Sequence, residues 1–312
     1  MALLYGAKTV NDEKTTVNEI RALCAEKSAA VLAHFYQPLS VQRAADLVGD
    51  SYELARKSVM LEADTLVMCG VRFMAESVKL LNPDKRVLLP ASDAGCPMAD
   101  TIDEHDIAAL RAAHPSAAVV CYVNTTAAVK AVSDICCTSA NAIKVVRSLP
   151  NDEIIFVPDK NLGAFVAAAV PEKKFWFFEG GCPIHSRVGV RDVDAAKAAH
   201  PDALVLVHPE CSPEVAAKAD FVGSTSQILA YAAKTDADLI IGTEMEIALR
   251  IREDNPERGV WVLTNSFLCP NMKKTSLDLL LHSLKTGEEE ITLGSDLIEA
   301  AKAPLKRMVE VG

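Results

Sequence analysis

Nine cysteines carry the densest potential chemistry in this sequence: Cys24, Cys69, Cys96, Cys121, Cys136, Cys137, Cys182, Cys211 and Cys269. Their number is odd. Lys8, Asp12, Glu13 and Lys14 leave no signal-peptide core ahead of them. A disulfide framework is therefore not expected, and buried thiols or metal ligands are. No CxxC pair occurs, which argues against a zinc ribbon, a thioredoxin-type site and a ferredoxin-type cluster. Three cysteines are followed by proline, at Cys96-Pro97, Cys182-Pro183 and Cys269-Pro270, spaced 86 and 87 residues apart. Three thiolates suit a soft metal. A structural zinc or an electron-transfer cluster takes four protein ligands. A [4Fe–4S] cluster on three cysteines leaves one iron open as a Lewis acid that can bind substrate and assist loss of water. Cys96, Cys182 and Cys269 are read as that site. Cys24, Cys69, Cys121, Cys136 and Cys137 are read as packing residues; Cys211, beside Glu210, fits either role.

A second set is polar. Ser51, Ser139 and Thr225, with Ser224 beside the last, stand where helices are expected to begin. Helix N-termini bind carboxylates and phosphates, though the same hydroxyls also serve as N-caps. His34, His185 and His208 can donate to carboxylates or hydroxyls near neutral pH. Tyr36, Tyr122, Asn124 and Glu210 complete the set, with Glu210 as general base and Tyr36 as its proton partner. His105, His114, His200 and His282 are read as surface residues.

These residues share one register, which implies an internal repeat. Apolar runs end at His34, Tyr122 and His208; two residues on stand Tyr36, Asn124 and Glu210. Seventeen residues after each run come Ser51, Ser139 and Thr225. Second apolar runs end at Gly70, Pro158 and Gly242, and a Cys-Pro pair closes each unit. Short β-rich runs alternate with helical periodicity; 52–61, 141–149 and 227–234 are predicted helices. The expected fold is three homologous α/β/α repeats with parallel sheets around a pseudo-threefold axis. Their strand ends would face a central active site. The units are placed at 20–107, 108–194 and 195–289, with a tail, 290–312, expected to pack on the first.

Composition agrees with an enzyme of this size. In 312 residues, half are apolar, 42 acidic and 32 basic, for a net charge of −10. Disorder, a coiled coil and a disulfide mini-protein are excluded, and neither duplex nucleic acid nor a membrane is the expected partner. The longest uncharged run, between Arg111 and Lys130, contains His114, Ser116, Asn124, Thr125 and Thr126 and does not suit a bilayer. A cytoplasmic location is expected.

The motifs HFYQ (34–37), GDS (49–51), FMAE (73–76), CPMAD (96–100), YVNTT (122–126) and CTSAN (137–141) run through the first half of the chain. CPIH (182–185), HPEC (208–211), GST (223–225) and CPNMKK (269–274) follow in the second. Together, over nearly the whole chain, they resemble the quinolinate synthases. That resemblance implies a transferase of NAD biosynthesis that condenses iminoaspartate with dihydroxyacetone phosphate, releasing phosphate and water. It implies a functional hand-off from an aspartate-oxidising enzyme. It also implies a [4Fe–4S] cluster on Cys96, Cys182 and Cys269. The implied substrate contacts are His34, Tyr36, Ser51, Tyr122, Asn124, Ser139, His185, His208, Glu210 and Thr225. Some members carry a CxxCxxC run at the third ligand; Leu263 and Ser266 stand there in this chain, which removes a thiol–disulfide switch. Competing readings are an aconitase-like hydro-lyase, a non-enzymatic iron–sulfur sensor and a three-thiolate zinc site.

Overall fold

Short runs of β-branched and aliphatic residues, apolar on both faces, are the signature of strands sandwiched between helices. The computed structural model describes residues 10–311 and contains three such sheets. The first unit comprises α1 (Val10–Glu26), β1 (Ala29–His34), α2 (Leu39–Ala44), β2 (Leu47–Gly49), α3 (Ser51–Ser58), β3 (Thr65–Cys69), α4 (Arg72–Leu81) and β4 (Arg86–Leu88). The second comprises α5 (Glu104–Ala113), β5 (Ala118–Tyr122), α6 (Ala127–Ala131), β6 (Ile135–Cys137), α7 (Ala142–Ser148), β7 (Glu153–Val157), α8 (Lys160–Ala169) and β8 (Lys174–Phe177). The third comprises α9 (Val190–Ala199), β9 (Leu204–Val207), α10 (Pro213–Ala216), β10 (Phe221–Val222), α11 (Thr225–Ala232), β11 (Leu239–Gly242), α12 (Glu246–Asp254) and β12 (Val260–Val262). Two further helices, α13 (Leu277–Thr286) and α14 (Ser295–Val311), complete the chain.

Each sheet has four parallel strands in the same order, β2-β1-β3-β4 and its two equivalents. The expected triplicate α/β/α architecture around a pseudo-threefold axis is therefore the one observed. One device recurs in all three units. Asp46, Asp134 and Asp220 precede the edge strands β2, β6 and β10. Their side chains accept the Val31, Val119 and Val205 amides at 2.8, 2.7 and 2.8 Å. Each aspartate clips the start of its central strand, and so sets where that strand's carboxyl end emerges.

The details depart from expectation where elements are shortest. β2, β6 and β10 have two or three residues and show no periodicity in the sequence. The helix α13, placed by sequence in the third unit, packs on α1, α2 and β3 of the first. Its apolar face of Leu277, Leu280 and Leu284 completes a core with Ile20, Val31 and Val67. The tail begins on the first unit, where the Leu89 amide donates to the Glu289 carbonyl and the Ile291 amide to that of Val87. It does not stay there. α14 crosses α4 and lies mainly on α6 and β6 of the second unit, burying Ala301, Leu305 and Met308. His114 and His200 are not free surface groups; they stack on Trp176 and Trp261, each with ring centroids 3.6 Å apart.

Candidate active site

The carboxyl ends of all three sheets open on one cavity of about 190 Å³. It is lined by Cys96, Cys182 and Cys269 and by His34, Tyr36, Ser51, Tyr122, Asn124, Ser139, His185, His208, Glu210 and Thr225. Every residue singled out from the sequence thus meets there except Ser224. That hydroxyl is the N-cap of α11, accepting from the Gln227 amide at 3.3 Å and pairing with Ser226 Oγ.

Capping differs from expectation in the other units too. Asp50, not Ser51, caps α3 by accepting from the Glu53 amide at 2.9 Å. Asn141, not Ser139, stands at the N-cap of α7, where its Oδ1 accepts from the Thr138 amide at 2.8 Å. Ser51 and Thr225 are the first residues inside their helices, and Ser139 lies in the turn before α7. Asp50 and Ser224 cap α3 and α11 while α7 has no side-chain cap bond, so none of the three hydroxyls caps a helix and all three line the cavity. Ser139 Oγ lies 3.0 Å from His208 Nε2, and Thr225 Oγ1 lies 2.9 Å from the Tyr36 hydroxyl. The Asn124 side-chain oxygen is buried with no protein partner, an orphan at the cavity wall.

A continuous hydrogen-bonded chain crosses the cavity and joins all three units. The Tyr122 hydroxyl donates to Glu210 Oε1 at 2.7 Å. His185 Nδ1 meets Glu210 Oε2 at 2.8 Å, and its Nε2 lies 3.0 Å from Thr243 Oγ1. Thr243 Oγ1 is 2.8 Å from the Tyr36 hydroxyl, which reaches Thr225. Thr243 and Glu244 were missed from sequence. They follow the second apolar run of the third unit, where the other units carry Val71-Arg72 and Asp159-Lys160.

Burial sets the charge states. It drives His34 down to about 3, aided by Lys273 and His208, and His208 down to about 4. It lifts the Tyr36 and Tyr122 hydroxyls well above their usual value, with the Glu210 carboxylate adding to the shift. Burial opposes ionisation of Glu210 as well. The imidazoles of His208 and His185 and the bonds from His185 and Tyr122 outweigh it and hold the carboxyl near 2. His34 and His208 are thus neutral, and Glu210 ionised, at neutral pH.

The cysteines divide sharply. Cys24, Cys69, Cys121, Cys136, Cys137 and Cys211 are buried, while Cys96, Cys182 and Cys269 are partly exposed in the cavity. At each of these three thiols the backbone amides of the second and third residues onward favour the thiolate and work against burial. They are those of Met98 and Ala99 for Cys96, Ile184 and His185 for Cys182, and Asn271 and Met272 for Cys269. Proline at the intervening position fixes φ so that the turn folds its amides toward the sulfur. That is the physical content of the Cys-Pro pair: a small amide nest that favours sulfur as an anion. Without a counter-cation burial still dominates, pushing Cys96 up to about 12 and the other two upward. A bound cation would reverse this. The tightest donor set is Cys182 Sγ, His185 and Glu210, whose atoms lie within 4.8 Å of one another. It is a potential metal-binding site; Cys96 and Cys269 lie outside it.

Fold and cavity together define a triplicated α/β protein whose three units converge on a thiol-lined cavity with a potential metal-binding site. Comparison with known proteins gives the family. The quinolinate synthetase A protein (NadA) model matches residues 18–310. A quinolinate synthase of Methanoregula boonei is 50% identical over 301 residues, covering 96% of this chain and 99% of that one. Those of Alkaliphilus metalliredigens and Thermodesulfovibrio yellowstonii are each 48% identical over 301 and 295 residues, spanning 96% and 94% of this chain and 99% and 97% of theirs. The chain belongs to the quinolinate synthase family and is a transferase-type enzyme of NAD biosynthesis. Among the described residues no helix is long and apolar enough to cross a membrane.

Proposed function

We propose that this chain condenses iminoaspartate with dihydroxyacetone phosphate to quinolinate, releasing phosphate and water, at a [4Fe–4S] cluster held by Cys96, Cys182 and Cys269. The observation that carries this reading is that the three Cys-Pro cysteines, one repeat apart, all border one cavity at the strand ends of the three units. Cys96, Cys182 and Cys269 would hold the cluster. When bound, the cluster supplies one open iron as a Lewis acid for dehydration.

The chain's own residues do the rest. Ser51, Ser139 and Thr225, one from each unit, bind the carboxylates and phosphate, while the unpaired Asn124 oxygen accepts from a substrate hydroxyl or N–H. His34 and His208 are neutral and donate to the same groups. Glu210 accepts protons, but a carboxyl held near 2 retains one poorly. It therefore returns the proton to the bound substrate, while His185, whose Nδ1 donates to Glu210 Oε2 and whose Nε2 meets Thr243, holds the carboxylate in place. The substrate imine is hydrolytically labile, which favours hand-off from an aspartate-oxidising enzyme. The buried walls of the cavity, among them Val71, Phe73 and Met98, keep bulk water away from the bound imine.

A second reading has one observation behind it. The Cys182–His185–Glu210 set has the mixed donors of a single divalent ion such as zinc. The test is quinolinate formation from the two substrates by anaerobically prepared enzyme. Wild type should form it, and the Cys96→Ala and Cys269→Ala variants should not. Activity that survives both substitutions would support the single-ion reading instead.

A further inference from the structure

The amides that favour each thiolate lie on the C-terminal side of its cysteine. Two buried carboxylates hold the same loops from the N-terminal side. Asp159 follows β7, where its Oδ1 accepts from the Leu162 amide at 2.8 Å as the N-cap of α8. Its Oδ2 accepts from the amide of Cys182 itself at 3.0 Å. Glu244 follows β11, and its Oε2 accepts from the Glu246 amide at 2.9 Å. Its Oε1 accepts from the amide of Cys269 at 3.3 Å and from Lys273 Nζ at 2.9 Å. Asp159 and Glu244 are almost wholly buried. In each, both oxygens are occupied by donors.

We propose that Asp159 and Glu244 are positioning residues of the metal centre, each pinning the backbone of one cysteine ligand to the end of its unit's third strand. The inference rests on the three-cysteine reading above. A buried carboxylate with two acceptor oxygens fits two converging donors, whereas an amide offers one acceptor and turns an N–H₂ toward the other donor. The backbone of Cys182 and of Cys269 is thereby fixed at the residue that carries the ligand sulfur. Outer partners of this kind orient ligands in metal sites generally.

The first unit lacks the device. Val71 occupies the position of Asp159, and no side chain accepts from the Cys96 amide among the described residues. The Cys96 carbonyl accepts from the Asp100 amide at 3.1 Å, as the Cys182 carbonyl does from the Ser186 amide at 2.9 Å, but the Cys96 amide has no carboxylate partner among the described residues. The centre is therefore held asymmetrically, by two anchored ligands and one less constrained.

The test uses Asp159→Asn and Glu244→Gln in the anaerobically prepared, cluster-loaded enzyme. Iron release to an excess of chelator is followed optically, and the cluster midpoint potential is measured alongside. Each variant should lose iron roughly 10- to 100-fold faster than wild type, the usual penalty for a lost outer partner. Each should also show a shifted potential, because its ligand sulfur and a nearby buried charge have both changed. Thermal melting of the metal-free proteins identifies any variant that fails to fold; the other variant then carries the test. Wild-type rates and an unmoved potential in the folded variants would overturn the proposal. A wild type that takes up no iron would instead remove the cluster reading on which it rests.

Discussion

Replacing Glu210 with glutamine isolates the group on which the proposed proton transfer turns. The carboxylate is buried and uses one oxygen for the Tyr122 hydroxyl at 2.7 Å and the other for His185 Nδ1 at 2.8 Å. Glutamine keeps one acceptor, so one of those donors must face an amide N–H₂. A hydrogen bond to a charged group is worth about 1.5–3 kcal/mol, and removing a buried charge returns part of its desolvation cost. A net loss of about 2 kcal/mol is expected, which in a chain this long lowers the melting midpoint by roughly 4 °C. That leaves the variant folded at assay temperature. Turnover should nevertheless fall roughly 10²–10⁴-fold, the range for a displaced general acid–base group. Iron content and product binding should be retained, because the cysteine ligands are untouched. The assay is quinolinate formation at saturating substrates, with iron determination and a melting curve on the same preparation. Turnover within tenfold of wild type would refute the reasoning and move the proton acceptor to Tyr36 or a histidine.

Other perturbations separate capping from binding. Ser224→Ala removes the N-cap of α11 and should cost about 1 kcal/mol of stability, whereas Thr225→Ala, one residue on, should weaken substrate affinity more than stability. Isothermal titration and melting on both variants distinguish the roles; equal effects would contradict the division. Ser139→Ala deletes the partner of His208 Nε2 at 3.0 Å and should raise KM more than it lowers kcat. Acid should destabilise the metal-free protein. Between about pH 4 and 6.5 the unfolded chain protonates His34 and His208 while the folded one keeps both neutral. Asp159 acts with the opposite sign, because burial, then Glu210, raises its folded value to about 7. Glu244, raised by burial, adds to the sign of Asp159, and Glu210, held near 2, adds to that of the two histidines, so stability should fall on acidification through that window. A melting midpoint that stays level from pH 6.5 to 4.5 would contradict the buried neutral imidazoles.

The long-range order of the site was legible because a repeated unit repeats its chemistry. His34, Tyr122 and His208, and the three Cys-Pro pairs, hold one register, and strand ends in parallel sheets gather on one side. What escaped was local or non-repeating. A two-residue strand such as β10 has no period to detect. The caps shifted by a residue or more because aspartate, asparagine and serine compete for the same role, and only the turn's geometry selects Asp50 over Ser51. Thr243 and Glu244 have no equivalent in the first unit, so no register pointed to them. The allegiance of α13 and α14 depends on which apolar faces remain uncovered after the sheets form, which no local pattern encodes. His114 and His200 look like surface residues in sequence because their tryptophan partners lie more than sixty residues away.

Iron and acid-labile sulfide counts on protein made and purified without oxygen test the central claim most directly. The account predicts about four of each per chain. It also predicts that each of Cys96→Ala, Cys182→Ala and Cys269→Ala abolishes the cluster, while Cys24→Ala and Cys69→Ala retain it. One zinc ion with no sulfide, or a full cluster in Cys182→Ala, would contradict it.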